Sequence, residues 1–128
     1  MFKGIGYQFE LRRRARRQAA LDKLVAASID QVLHSVAGRT PPIKKHLFWG
    51  ASATHPRHLL VAYIFESDAD LLTAESNGLS ADLDTFTRRE LVRSDYPDEG
   101  IPLVHVTFAS NEDMLRKAGG NAYVYFNS

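Results

Sequence analysis

Apolar residues recur at helical spacing between residues 10 and 37. They are Leu11, Ala15, Leu21, Leu24, Val25, Ile29, Val32, Leu33 and Val36. Positions three and four apart share one face of a helix, so the pattern predicts an amphipathic helix over 10–37. Gly38 and then Pro41-Pro42 end it. A helix of this length spans about 42 Å, so we expect its first turns either to project from the domain or to break away.

Strand-like runs follow the helix. Residues 45–51 and 59–66 are rich in aromatic and aliphatic side chains, and the turn-forming segment between them is short enough for a hairpin. The second run is almost entirely apolar, which is typical of a central strand covered on both faces. Residues 102–109 and 122–127 predict two further strands, and proline is tolerated at the first position of the former.

Capping residues and glycines mark shorter helices. Ser67 or the aspartate after it is a predicted N-cap, and Asn77-Gly78 ends that helix. A second helix is predicted from Ser80. The sequence Ser-Asn-Glu-Asp at 110–113 resembles a capping box for a third helix, which Gly119-Gly120 ends.

These elements predict one α+β domain over residues 1–128, with a long N-terminal helix and further helices packed on a sheet of about four mixed or antiparallel strands. Residues 1–9 contain two glycines between aromatic positions and are interpreted as an extended arm or a short edge strand.

Composition excludes several classes of protein. The chain has no cysteine, which rules out disulfide scaffolds, thiolate zinc sites, iron–sulfur clusters and cysteine nucleophiles. It has no apolar run near the roughly 20 residues that cross a bilayer, and no secretory signal at its start. We therefore expect a cytoplasmic protein without a membrane partner.

Charge is distributed unevenly along the chain. Residues 1–58 contain 11 Lys/Arg and 3 Asp/Glu, whereas residues 59–128 contain 5 Lys/Arg and 12 Asp/Glu. Such asymmetry indicates electrostatic partners, unless the two halves neutralise each other in the fold. The basic half supplies a nucleic-acid-binding candidate through Arg12, Arg13, Arg14, Arg16 and Arg17.

The acidic half supplies a different candidate, a surface that attracts a basic protein partner. Its carboxylates lie in the segments 66–84 and 95–99. The partner-binding candidates are Glu66, Asp68, Asp70, Asp82, Asp84, Asp95, Asp98 and Glu99. Ordinary helix capping and solubility explain the same residues without a partner.

Catalytic patterns are weak. His55 and His58 have an H-x-x-H spacing, but the proline between them prevents the helical placement that a zincin motif requires, so no metal is predicted. His105 with His58 and Lys44 or Lys45 imitates the acid–base pair of a metal-free ribonuclease, but nothing brings them together. Serine-nucleophile and phosphate-loop motifs are absent. We predict no catalytic residues and no cofactor.

Three stretches give the chain a family resemblance: YIFESDADLL (63–72), YPDEGIPLVHVTFASNEDM (96–114) and GGNAYVYFN (119–127). In these stretches and in general type it resembles the immunity proteins of bacterial contact-dependent growth inhibition systems. The resemblance implies a non-enzymatic protein that neutralises a toxin domain, often a nuclease, by binding it. The sequence therefore predicts toxin neutralisation through the acidic segments, with nucleic-acid binding by the arginines as the alternative.

Overall fold

The computed structural model describes residues 2–50 and 58–127, with the backbone alone for residues 2–7. The α+β class and the long N-terminal helix are confirmed. In chain order the elements are α1 (Phe2–Ser35), β1 (Lys45–Trp49), β2 (Leu60–Phe65), α2 (Asp68–Ser76), α3 (Leu79–Arg93), a 3₁₀ helix (Asp98–Leu103), β3 (His105–Ser110), α4 (Asn111–Ala118) and α5 (Ala122–Phe126).

The described residues form a mixed sheet of three strands in the order β1-β2-β3, one fewer than predicted. The first two strands pair antiparallel, with Lys45 opposite Ile64. The last two pair in parallel, with Leu60 opposite His105. Parallel pairing needs a crossover connection, which α2 and α3 supply.

The central strand β2 is covered on both faces, as its apolar run predicts. On one face Val61, Tyr63 and Phe65 join the main core with α1, α2 and α3. On the other face Ile64 packs with residues of β3, α4 and α5 in a smaller cluster that includes Met114. Because five of the six residues of β2, at positions 61–65, are fully buried, β2 is the layer that both sets of helices cover.

Helix α1 packs on this core through one stripe. The buried members follow a helical repeat: Leu21, Val25, Ser28, Ile29, Val32 and Val36. Ser28 is the polar member, and its hydroxyl bonds the Leu24 carbonyl at 2.9 Å and the Ser94 hydroxyl at 3.0 Å. The stripe therefore joins α1 to the end of α3 by hydrogen bonds as well as apolar contact.

The prediction of an extended arm or edge strand over residues 1–9 is wrong for residues 2–9, which form the first turns of α1. Two glycines disfavour a helix, each by about 1 kcal/mol. The long helical segment that follows provides the nucleus, and extension from an existing helix is far easier than starting one.

The strand predicted over 122–127 is also wrong, because these residues form the short helix α5. The Asn121 side chain caps it by accepting a hydrogen bond from the Val124 backbone at 3.0 Å. Tertiary contacts then favour the helix: Tyr125 reaches Asp113, and Phe126 packs on Trp49. Strand propensity depends on context and is overridden here.

The strand predicted over 102–109 begins later, at His105. Residues 98–103 form the 3₁₀ helix, with Pro102 inside it. Arg88 of α3 holds this turn by donating hydrogen bonds to the carbonyls of Ile101 at 2.9 Å and Val104 at 2.7 Å. Charge-assisted hydrogen bonds of this kind, here half-buried, hold the backbone in the turn and keep it out of the strand.

We expect Tyr63→Phe to lower the free energy of unfolding by about 1 kcal/mol, the usual contribution of one hydrogen bond. Thr87 donates its hydroxyl to the Leu83 carbonyl, so the Tyr63 hydroxyl donates to Thr87 across 2.6 Å. Burial raises the pKa of Tyr63 to about 12. Urea unfolding measures the change. The exposed Tyr123 gives the control: Tyr123→Phe should leave stability unaltered, and equal losses in both variants would contradict the assignment.

Candidate functional site

The N-terminal part of α1 stands clear of the core. Contact with the main core begins at Leu21, and no side chain of residues 8–20 is buried. We call residues 8–20 the arm; at 1.5 Å per residue it is about 20 Å long. All five predicted arginines lie on it and are exposed to solvent. The prediction that the first turns project, without a break in the helix, is confirmed.

Arg12 and Arg16 form the outward face of the arm. They are four residues apart, so they lie one above the other on the helix. Among the described residues neither has a carboxylate within salt-bridge distance. Phe9 lies three residues before Arg12, on the same face, and is 59% exposed. This face therefore presents two unneutralised cations beside one aromatic ring.

The other arginines share a single carboxylate. Glu10 lies 3.9 Å from Arg13, 3.6 Å from Arg14 and 3.6 Å from Arg17. One negative charge among three guanidinium groups leaves an excess of positive charge, and exposed ion pairs of this type contribute little stability. The arm is thus cationic around most of its circumference.

A groove of about 350 Å³ lies where the arm meets the sheet. Its walls are Gln18 and Asp22 of α1, the end of β1 at Phe48 and Trp49, and Gly50. The Gln18 amide donates to the Asp22 carboxylate at 2.9 Å. Gly50 has φ +90, and a Cβ there would lie 2.5 Å from the His58 carbonyl oxygen, so a glycine is required.

Trp49 is held by a row of aromatic rings. Its ring centroid lies 5.4 Å from that of Phe126, which is 5.0 Å from Tyr125 in an edge-on arrangement. The Tyr125 hydroxyl in turn donates to Asp113 at 2.5 Å. Sequence analysis missed Phe48 and Trp49 as site residues, because nothing in the local pattern shows which helix turn a strand end will face.

The eight predicted acidic residues do not form one surface. Asp82 and Asp84 lie in the first turns of α3, whereas Asp95 comes just after its C-cap, Ser94. Asp95 lies thirteen positions after Asp82, which corresponds to about 20 Å along the helix axis. Asp98 and Glu99 lie beyond, in the 3₁₀ helix. The two acidic segments therefore occupy opposite ends of α3.

Half of the acidic set is neutralised by cations of the same chain. Each of these pairs joins a carboxylate to one lysine or arginine: Lys44–Glu66 at 2.6 Å, Arg39–Asp82 at 2.5 Å, Arg88–Asp84 at 2.8 Å and Arg116–Asp68 at 2.8 Å. Among the described pairs, the first two join the basic half to the acidic half. None involves an arginine of the arm, so the charge asymmetry of the two halves survives folding there.

Asp68 belongs to a structural cluster at the carboxyl ends of β2 and β3. It accepts hydrogen bonds from the buried Ser110 hydroxyl and from Arg116, and these hydrogen bonds lower its pKa. Arg116 also bonds Asp113 at 2.6 Å. Hydrogen bonds from Tyr125, Arg116 and Lys117 lower the pKa of Asp113 to about 2. Burial of the Tyr125 hydroxyl and its hydrogen bond to Asp113 raise the pKa of Tyr125 to about 12.

The remaining acidic candidates are Asp70, Asp95, Asp98 and Glu99. Among the described side chains, those of residues 8–50 and 58–127, their carboxylates have no hydrogen-bond or ion-pair partner. Asp95 has a left-handed φ of 63 and lines a groove with Arg17 and Pro97 on another side of the arm's base. Three unneutralised carboxylates therefore lie together over 95–99.

His46 and His105 lie on different outer strands of the sheet. His46 lies on β1 opposite Tyr63, and His105 lies on β3 opposite Leu60, across the central strand. His55 lies outside the described residues. Lys44 is engaged by Glu66. In the part of the chain that the structure describes, no three His, Cys, Asp or Glu side chains are placed to hold a metal ion.

Comparison of the chain with protein-family models, with curated proteins and with solved structures finds no match. No helix in the described part of the chain combines the length and the apolar character needed to cross a bilayer. The arm, the groove at its base and the 95–99 carboxylates are thus the features from which a function can be argued.

We expect Asp113→Asn to destabilise the protein at neutral pH and much less near pH 2. The folded-state pKa of about 2 lies below the usual 3.8, so the stabilisation is complete above the usual value and is lost as pH falls toward 2. Urea midpoints of wild type and variant, measured across this range, should converge at low pH.

Asp30→Asn is the matched control for this experiment. Asp30 is exposed on α1, and its carboxylate contacts no cation among the described residues. The urea unfolding midpoint of Asp30→Asn should equal that of the wild type at every pH. A gap between wild type and Asp113→Asn that stays constant down to pH 2 would show that the carboxylate charge is not what holds Tyr125 and Arg116.

Proposed function

We propose that the protein binds nucleic acid through the arm. The observation that carries the proposal is the outward face of Arg12 and Arg16, exposed cations with no carboxylate partner among the described residues. Five arginines over two turns of a projecting helix give a dense row of phosphate-sized contacts. The predicted acidic residues support a protein-binding surface less strongly, because half of them are ion-paired and because they lie at opposite ends of α3.

The arm suits phosphate contact more than base-edge recognition in a duplex. Guanidinium groups bind phosphate oxygens in two-point geometry and release condensed counterions, so affinity falls steeply with salt. Such contacts carry little sequence information. We accordingly propose a cytoplasmic, non-enzymatic binding protein with broad sequence tolerance, and no bound cofactor or metal is part of this proposal.

Arg12→Ala/Arg16→Ala should reduce the salt dependence of binding. Each lost phosphate contact lowers the slope of log K against log salt by about 0.9, so the double variant should lose about 2. Fluorescence anisotropy with a labelled oligonucleotide, repeated at several salt concentrations, measures the slope. Alanine is the best helix former, so the variant keeps the arm helical.

Arg89→Ala/Arg93→Ala removes the same charge from α3. Arg93 pairs with Glu90 and Arg89 lies over the Phe86 ring, so both are part of a different surface. This control should keep the wild-type slope within error. Equal slopes in all three proteins, or no binding by wild type at about 50 mM salt, would refute the arm as the nucleic-acid surface.

A second candidate function is neutralisation of a bacterial toxin domain, the activity that the resemblance to contact-dependent growth inhibition immunity proteins implies. The unneutralised carboxylates at 95–99 favour it, because exposed like charges accelerate encounter with a basic partner. On this proposal Asp95, Asp98 and Glu99 make the first contact. The ion-paired acids Glu66, Asp68, Asp82 and Asp84 contribute less.

The immunity candidate predicts that a toxin gene lies beside this one. Cells expressing that toxin domain should grow when they also make the wild-type protein, and should lose protection when it carries Asp95→Lys, Asp98→Lys and Glu99→Lys. The arm variant Arg12→Ala/Arg16→Ala is the control and should still protect. Full protection by the 95–99 variant would rule out this surface as the toxin-binding site. A genome without an adjacent toxin gene would rule out the immunity function.

A further inference from the structure

We propose that the protein forms a dimer by exchanging arms, with Phe9 of each copy seated in a groove of its partner. The groove is the one beside Pro97 at the base of the arm, and we call it the Pro97 groove. It is lined by Arg17, Ala20, Leu21, Leu24, Asp95 and Pro97. The proposal goes beyond the proposed function and requires no nucleic acid. The juxtaposition behind it is an exposed aromatic ring at one end of a helix face and an apolar groove at the other.

The Pro97 groove combines an apolar floor with a charged wall. Its volume is about 240 Å³. Ala20 is exposed at the floor, Leu24 is half-buried there, and Pro97 comes from the segment after α3. Asp95 forms part of the wall, and its carboxylate has no hydrogen-bond or ion-pair partner among the described side chains. Such a groove fits an aromatic side chain that is followed by a cation.

The arm carries this combination of side chains. Phe9 is mostly exposed, and Arg13 lies one turn after it on the same side of α1. An aromatic ring in water gains free energy when the apolar surface of a partner covers it, which makes such rings frequent anchors of interfaces. Phe9 and Arg13 therefore match the apolar floor and the anionic wall of the Pro97 groove.

The ring and the groove lie on one face of α1. Phe9 precedes Ala20 by 11 residues and Leu24 by 15, which is about three and about four turns of helix. Along the axis these separations are about 16 and 22 Å, so the continuous helix cannot bring its own ring into its own groove. A second copy turned end for end places each ring on the groove of the other copy. The face is therefore self-complementary, as a closed two-fold dimer requires.

Charge complementarity favours a second copy as the occupant. The arm contains five arginines and one glutamate, so within one chain it stays strongly cationic. The Pro97 groove lies beside the 95–99 carboxylates, which are exposed and have no cation partner among the described side chains. In the dimer each arm lies against these carboxylates of the partner, and its positive charge is largely offset there. Attraction between the two patches also steers the copies into this orientation.

The test measures the oligomeric state without nucleic acid. Sedimentation equilibrium of the wild-type protein over about 1 to 500 µM should show a reversible monomer–dimer equilibrium, with a dissociation constant on the order of 10 µM for an interface of this small size. A wild-type protein that stays monomeric over this range would overturn arm exchange. Nucleic-acid binding by the arm would be unaffected by that outcome, because it is measured separately.

Phe9→Ala should raise the dissociation constant of the dimer about tenfold or more, because it removes the side chain that fills the groove. Leu11→Ala is the matched control. Leu11 is exposed on the same arm, but residues two apart point to different faces of a helix. This variant should dimerise like the wild type. Equal weakening in both variants would overturn Phe9 as the anchor.

Asp95→Asn removes the charge of the wall and keeps a residue type that tolerates the left-handed φ of 63 at this position. It should weaken the dimer about threefold, the effect of one solvent-exposed ion pair. Asp30→Asn removes the same charge from another part of α1 and should leave the dimer unchanged. A wild-type dissociation constant for Asp95→Asn would overturn the contact between the arm and Asp95.

Mixing two defective variants tests the exchange itself. Phe9→Ala has a defective arm and an intact groove, whereas Ala20→Arg has an intact arm and a groove that the larger side chain fills. Position 20 is exposed and arginine is a good helix former, so α1 tolerates the change. A mixed dimer regains one complete contact, because both defects fall in the other contact. We expect the mixture to dimerise at concentrations at which each variant alone is monomeric. A mixture that sediments as two monomers would overturn the exchange.

Discussion

The structure depends on the burial of β2 from both sides. A six-residue strand with five fully buried residues requires a layer of helices on each face, and the apolar area so removed from water is the main favourable term in folding. Helices α1, α2 and α3 supply one layer, and α4 with α5 supplies the other. The parallel pairing with β3 follows, because the chain crosses over the first face between the two strands.

The same constraint leaves the arm exposed. The sheet has three strands, so the face available to α1 is short, and its core stripe ends at Leu21. On the N-terminal side of Leu21 the helix continues, but its residues have no core to pack against. An exposed cationic helix gains little from its own ion pairs, and Arg12 and Arg16 have no carboxylate partner among the described residues. The groove lies at the point where this exposed segment meets the sheet edge.

The polar cluster behind α5 links stability to the candidate site. Ser110 and Asp68 join the ends of the parallel strands to the start of α2, and Asp113 carries the connection to Tyr125. From there the contact passes through Phe126 to Trp49. Asp68, which looks like part of a binding surface in the sequence, is a hydrogen-bond acceptor for Ser110 and Arg116 in this structural cluster. The charge of a carboxylate does not distinguish a binding residue from a structural hydrogen-bond acceptor, whereas its hydrogen-bond partners do.

The sequence by itself determined the α+β class, the long projecting helix, the central position of β2, the N-cap serines at 67 and 110 and the cationic arm. These features follow from local periodicity, capping chemistry and composition, which act over a few residues. Tertiary structure decided the rest. It made residues 122–126 a helix, extended α1 to Phe2, paired four of the eight predicted acidic residues with cations and packed Trp49 on Phe126. Those outcomes depend on contacts between residues far apart in the chain, which no local pattern encodes.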